Sequence, residues 1–277
     1  MKILVLGGNG MAGHVIYKYL RKQPDYDVHY TSRDRTDKSS IYLDAVDTPA
    51  LEKLINTLEP AIVINCIGIL NDAAEQNPLL AFRVNSLLPH QLAAFMERKN
   101  GRLIQLSTDC VFSGKTGQYK ETDFRDGTSV YSQSKQLGEI TSHPHLTIRT
   151  SIIGPELRRN GIGLFHWFMS QSGEIKGFER VYWNGVTTLE LAKAVDFFIQ
   201  KQTSGLYHLC PDEKINKHDL LQLIKEIYQK DDIRIVPDAA HVLDRSIVNT
   251  RQSPAYAVPG FRDMLEEQKQ IYPLLLS

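Results

Sequence analysis

Along the first part of this chain, short unbroken apolar runs alternate with stretches whose apolar residues recur at helical spacing. Lys2–Leu6 is the first run, and Val15, Ile16, Tyr19 and Leu20 follow at the spacing of an amphipathic helix. Tyr26–Ser32 and Ile41–Asp44 read as strands. Pro49–Leu58 reads as a helix with Asp47 as its cap and Pro49 in its first turn. Ala61–Ile67 reads as the apolar run that a strand buried on both faces needs, ending in Asn65-Cys66-Ile67-Gly68. A long helix is predicted from about Pro78 to Lys99, then a strand at Arg102–Leu106, a helix at Ser129–Ile140 and a strand at Leu146–Thr150. This alternation predicts an α/β fold, a doubly wound parallel sheet with helices on both faces.

Beyond residue 150 the pattern loosens. Gly154-Pro155, Asn160-Gly161-Ile162-Gly163 and Gly173 interrupt it, and Leu164–Met169 is a short aromatic helix. Thr188–Gln200 is an amphipathic helix, Gly205–Leu209 a strand that returns to the main sheet, and Lys217–Lys230 a further helix; the remainder reads as irregular. The expected organisation is a nucleotide-binding domain over 1–150 plus about 183–210, and a smaller, split C-terminal substrate-binding lobe from about 151–182 and 211–277.

Composition narrows the function classes. Lys+Arg and Asp+Glu both number 32 in 277 residues, so no global charge draws the chain to nucleic acid or an anionic membrane. No apolar run approaches the ~20 residues that span a bilayer. The chain starts a strand at residue 2, without a basic leader or cleavage site, and the expectation is a cytoplasmic protein. Cys66, Cys110 and Cys210 are odd in number and fit no zinc spacing, which suits free thiols in a reducing compartment. The histidines form no H-x-x-x-H or H-E-x-x-H group, and no protein-held catalytic metal is expected.

Ligands of doubly wound sheets bind beyond the carboxyl ends of the strands. Gly7-Gly8-Asn9-Gly10-Met11-Ala12-Gly13 lies there, between the first strand and its helix. Gly7 would allow the tight turn, Gly10 the approach of a pyrophosphate to the helix N-terminus, and Gly13 the packing of helix on strand. The spacing is G-x-x-G-x-x-G, so position in the chain carries more weight than the motif. Asn9 and Met11 complete the turn; Asp44, Cys66, Ile67 and Gly68 end neighbouring strands; Asn85 is a polar residue in an apolar helix. All are candidate cofactor contacts. At the tip of the second strand an acidic residue favours a free ribose 2′-hydroxyl and an arginine a 2′-phosphate. The first charged residue there is Arg33, so NADPH is the expected cofactor, with NADH the alternative.

Ser107-Thr108-Asp109 closes another strand, and Tyr131 precedes Lys135 by one helical turn. Of the 12 tyrosines only Tyr131 has a lysine four residues on. An ammonium so placed would lower the phenol's pKa, and the phenol could give a proton to a carbonyl oxygen as hydride arrives at carbon. Lys135 could hold nicotinamide ribose hydroxyls. Thr108 would donate to the carbonyl oxygen, while Ser107, which points to the other face of the strand, is with Tyr131 and Lys135 a further candidate cofactor contact.

Together, Gly7-x-x-Gly10-x-x-Gly13, Ser107-Thr108-Asp109-Cys110-Val111-Phe112, Tyr131-x-x-x-Lys135, Arg149-Thr150-Ser151 and Gly205-Leu206-Tyr207-His208-Leu209 resemble an extended short-chain dehydrogenase/reductase. Within it the set most resembles the dTDP-4-dehydrorhamnose reductase family, over nearly the whole chain; Glu121-Thr122-Asp123 is similar as well. The resemblance implies a Rossmann-type domain, NADPH or NADH, and the triad Thr108, Tyr131 and Lys135. It also implies reduction of the 4-keto group of a dTDP- or UDP-linked 6-deoxysugar for cell-surface polysaccharide. A homodimer is consistent with it. Cys110 stands where the family usually has tyrosine and Ile152 where it has tryptophan, so a 2-acetamido-2,6-dideoxy-4-ketohexose on UDP is a candidate substrate. A 4,6-dehydratase would need a carboxylate at Cys110, nothing speaks for an epimerase, and a non-catalytic NADP(H)-binding regulatory subunit is the alternative from another class.

Overall fold

The computed structural model describes residues 1–158 and 161–276. Asn160, read above as part of a glycine turn, lies outside them, as does Ser277. Seven parallel strands form the central sheet. In chain order these are β1 (Lys2–Leu6), β2 (Asp27–Ser32), β3 (Ile41–Tyr42), β4 (Ile62–Asn65), β5 (Arg102–Thr108), β6 (Leu146–Thr150) and the edge strand Gly205–His208. β1 sits between β2 and β4. The chain therefore winds outward through β2 and β3, returns to the far side of β1 with β4, and continues to the other edge. A crevice opens at such a reversal, outside the strands' carboxyl ends.

Alternation within each strand serves two cores. Ile3, Val5, Ile62, Ile64 and Ile104 face helices Met11–Leu20 and Thr188–Gln200. Leu4, Leu6, Val63 and Leu103 face Thr48–Leu58 and Leu88–Glu97. Each such side chain contributes about 1.5–3 kcal/mol by leaving water, which is why these strands carry no polar face.

The structure departs from the sequence reading in three places. The helix expected from Pro78 is instead Pro78–Ala81, a π-helical turn at Phe82–Leu87 and Leu88–Glu97. Pro89 has no N–H to give the carbonyl four residues back, that of Asn85, and the wider turn accommodates this loss. The helix predicted for Ser129–Ile140 is shorter, Val130–Leu137. A Cβ at Gly138 would stand 1.9 Å from Asn85 O, so the two backbones touch there. The C-terminal stretch is not all irregular. Strand Ile233–Asp238 pairs with Gly173–Phe178, and helix Phe261–Leu276 packs on Met11–Leu20 and Thr188–Gln200. Tyr272 of that helix meets His14 Nε2 at 3.0 Å. Pro273 and its polar composition concealed it.

A separate core of Phe165, Phe168, Trp183, Leu220, Ile224 and Ile235 builds the second lobe above the crevice. Among the described residues no helix is long and apolar enough to cross a membrane.

Candidate active site

The crevice holds about 880 Å³ between sheet and second lobe. Its floor is the β1–β4 reversal. Gly7 has φ +76°, and a Cβ there would meet Ile67 Cγ1 at 2.9 Å, so the turn needs glycine and seats β1 against β4. A Cβ on Gly13 would stand 2.2 Å from Gly7 O, which holds the helix to the strand end. Gly10 differs: a Cβ there would meet only Gly7 O, at 3.2 Å. At Gly10 the backbone need give by only a few tenths of an ångström, so the stronger demand for glycine would come from whatever lies on the turn. Gly8 N–H and Gly10 N–H bond within the protein, to Thr31 O and Gly7 O at 2.9 Å, and His14 N–H closes the first helical hydrogen bond on Gly10 O, so the amides left to face a ligand are those of the first helical turn, from Met11 on. These observations fit a dinucleotide pyrophosphate.

Gly7, Asn9, Gly10 and Met11 line this crevice, as do Arg33, Asp44, Cys66, Ile67 and Gly68. Asn9 Nδ2 donates to Ser32 Oγ at 3.0 Å and to Asp37 Oδ2 at 2.9 Å, tying the glycine turn to the tip of β2. Arg33 is exposed there and Asp34 turns into its own loop toward Thr36. The arginine, not the acid, faces the crevice.

Asn85 is the exception among the expected cofactor contacts. It does not line the crevice but stands buried behind it. Its Oδ1 accepts from Ile69 N–H at 2.8 Å, and its Nδ2 donates to Ile69 O at 2.8 Å and Ser134 Oγ at 3.0 Å. It fixes the loop after β4 to the helix Val130–Leu137, and the π-helical turn aims it there.

Ser107, Thr108, Tyr131 and Lys135 also line the crevice. Ser129 caps their helix by accepting from Ser132 N–H at 3.0 Å, and Ser132 Oγ donates to Cys110 O at 2.5 Å. The helix is thus fastened to the chain leaving β5. Ser107 Oγ donates to Glu139 Oε1 at 2.7 Å, on the face away from Thr108. Thr108 Oγ1 accepts from Cys110 N–H at 3.1 Å and donates to Asp109 Oδ1 at 3.0 Å. Burial pushes the Tyr131 phenol above its ordinary value, while a hydrogen bond with Thr108 opposes this. Burial thus outweighs the lowering expected from Lys135. Lys135 Nζ donates to Leu106 O at 2.6 Å, and burial pulls its pKa down to about 8 against the charge of Glu139.

Sequence reasoning passed over the second-lobe wall, which includes Ile153, Trp183 and Lys217. Asn216 before Lys217 is a helix-cap signal, but nothing in spacing places that helix at the crevice. Among the described residues no group of three or more His, Cys, Asp or Glu side chains could hold a metal.

The RmlD substrate binding domain family matches this chain over residues 1–258. A probable low-salt glycan biosynthesis reductase of Haloferax volcanii is 28% identical over 91% of this chain and 89% of its own length. The methionine adenosyltransferase 2 subunit beta of Danio rerio is 23% identical over 85% of this chain and 76% of its own length. Among solved structures, a dTDP-4-dehydrorhamnose reductase from Bacillus anthracis in complex with NADP superposes with a TM-score of 0.83 at 19% identity. That match covers 97% of this chain and 98% of the other.

Proposed function

This chain belongs to the RmlD substrate binding domain family, and from that membership we propose that it is an NADPH-dependent reductase of the 4-keto group of a nucleotide-linked 6-deoxysugar. The observation that carries the reading is convergence. The glycine turn, Thr108, Tyr131 and Lys135 come from distant parts of the chain and line one crevice that the second lobe covers. Bound NADPH would supply the hydride.

The amides at the start of helix Met11–Leu20 would hold the pyrophosphate, Arg33 the 2′-phosphate, and Lys135 the nicotinamide ribose. Tyr131, a phenol that burial makes a weaker acid still, is protonated at neutral pH, the form that gives a proton to a ketone oxygen. Thr108 has one proton, now spent on Asp109; donating to the ketone means exchanging that bond. A dehydratase reading is disfavoured because burial pushes the Cys110 thiol up to about 12, and a neutral thiol is no base at pH 7. Whether the nucleotide is dTDP or UDP, and whether the sugar carries an acetamido group, follows from the substrate that is turned over. The cytoplasm is the proposed compartment, since three free cysteines suit reducing surroundings.

The test combines purified protein, NADPH and a panel of dTDP- and UDP-linked 4-keto-6-deoxysugars, read as loss of NADPH absorbance, with the product identified by NMR. Tyr131→Phe is expected to lower turnover about 10²–10⁴-fold and leave NADPH affinity within a few-fold. NADPH binding without oxidation across the panel would refute the reductase reading. It would favour a cofactor-binding subunit, the reading to which the similarity with the Danio rerio subunit lends support.

A further inference from the structure

Strand Ile215–Asn216 pairs antiparallel with Val181–Trp183, Ile215 opposite Trp183 and Asn216 opposite Tyr182. Asn216 then caps the helix Lys217–Tyr228, its Oδ1 accepting from Asp219 N–H at 2.8 Å. The register delivers Lys217 to the crevice wall, its ammonium 5.0 Å from the centre of the buried Trp183 ring. Across from it is Asp109, which follows Thr108 on the opposite lobe and feels its charge. Among the described residues no hydrogen bond or ion pair closes on this ammonium. It therefore sits in a half-buried position with three N–H donors unused, and it has only a ring face and a longer-range carboxylate as partners. Burial pulls it down to about 8, as expected of a cation that lacks an oxygen ligand.

We propose that Lys217 is a specificity residue of this enzyme: with Asp109 it recognises the sugar hydroxyl on carbon 3, next to the ketone. This rests on the reductase reading above. A hydroxyl is the group that accepts from an ammonium and donates to a carboxylate at once. A phosphate in that place would face Asp109 and be repelled. Thr108, which precedes Asp109 and bonds to it, would hold the ketone oxygen, so its chain neighbour is placed to read the adjacent carbon. The second lobe thus takes part in substrate choice through one side chain.

The test compares wild type, Lys217→Met and Lys217→Arg, on the 4-keto sugar that wild type reduces best and on its 3-deoxy analogue. On the hydroxylated sugar Lys217→Met is expected to lose about 10- to 100-fold in kcat/KM, mostly in KM. NADPH affinity stays within twofold, the thermal midpoint does not fall, and Lys217→Arg recovers part of the loss. On the 3-deoxy sugar wild type falls by a similar factor and Lys217→Met falls no further. An active wild type beside a Lys217→Met with unchanged kcat/KM, or with equal losses on both sugars, overturns this inference alone. A wild type that oxidises NADPH with no 4-keto sugar overturns the reductase reading and this inference with it.

Discussion

Glu139 lies two residues past the end of helix Val130–Leu137 and supports the end of β5. Its carboxylate receives four hydrogen bonds: Arg149 Nε at 2.7 Å, an Arg149 terminal nitrogen at 2.7 Å, Ser107 Oγ at 2.7 Å and Arg125 at 2.8 Å. Arg149 is 2% exposed and pairs with Ser107 across the β5–β6 ladder. Glu139→Gln keeps the shape and removes the charge. One of the two oxygens becomes an NH₂ aimed at a guanidinium, and Arg149 is left as a buried cation without its counter-ion. Removing one partner of a buried pair costs about 3–5 kcal/mol. Arg125, with a third of its side chain exposed, can turn to water. Arg149 also keeps the ring of Phe112, 5.3 Å away, so the low end, about 3 kcal/mol, is expected.

Urea unfolding followed by circular dichroism at pH 7 measures this loss. The pH dependence adds a second check. Burial pushes the Glu139 carboxyl up, but the bonds and charge of Arg149, with Ser107 and Arg125, outweigh that and hold it below its ordinary value. A folded-state pKa below the unfolded one gives stability that is present above the unfolded value and lost as pH falls through the folded one. The gap between wild type and Glu139→Gln should therefore narrow below about pH 4.5. A double variant, Glu139→Leu with Arg149→Met, should recover most of the loss, because no charge is left unpaired. A loss under about 1 kcal/mol in the single variant, or a double variant as unstable as the single, would refute the reasoning.

Gly10→Ala should unfold within about 1 kcal/mol of wild type yet bind NADPH at least about tenfold more weakly, whereas Gly13→Ala should destabilise the apo protein outright, as thermal melts with and without NADPH would register. Lys135→Met should make the apo protein more stable at pH 7, by about 1–3 kcal/mol, because it removes an ammonium that burial disfavours. The lysine's folded-state pKa lies below its unfolded one, so this advantage should vanish as pH rises from about 8 through 10.5; an advantage that persists at high pH would point to packing instead. Asn85→Ala should cost about 2–4 kcal/mol through its three lost hydrogen bonds. It should also weaken NADPH binding in fluorescence titrations through the freed loop at Ile69.

Much of the fold is legible because parallel strands buried on two faces are mostly apolar, and the few polar residues they bury, such as Asn65 and Gln105, pair with each other. Ile62–Asn65 and Leu103–Ile104 announce themselves as apolar runs for that reason. Helix Thr188–Gln200 is bounded as expected because Thr187 caps it, accepting from Glu190 N–H at 3.2 Å. The glycine turn and the Tyr131–Lys135 pair are local patterns whose spacing survives folding. Asn85 was misread because a polar residue in an apolar helix can serve a ligand or the backbone, and only contacts decide. The direction of the Tyr131 shift was misread for a related reason: spacing gives the neighbour but not the burial, nor the carbonyl of Leu106 that engages the ammonium.

The order of residues by itself determined most of the segments that become strands and helices over the first 210 residues, and that a glycine turn precedes a tyrosine–lysine helix. These depend on periodicity, caps and glycine, all of which act within a few residues. Tertiary structure alone decided that Trp183 and Lys217 line the same crevice as Thr108 and Asp109. It also decided that Glu139 and Arg149 share a buried charge, and that helix Phe261–Leu276 returns to the glycine-turn helix. Those meetings are set by the packing of elements far apart in the chain, where burial and low dielectric, not sequence spacing, determine which groups interact and in which charge state.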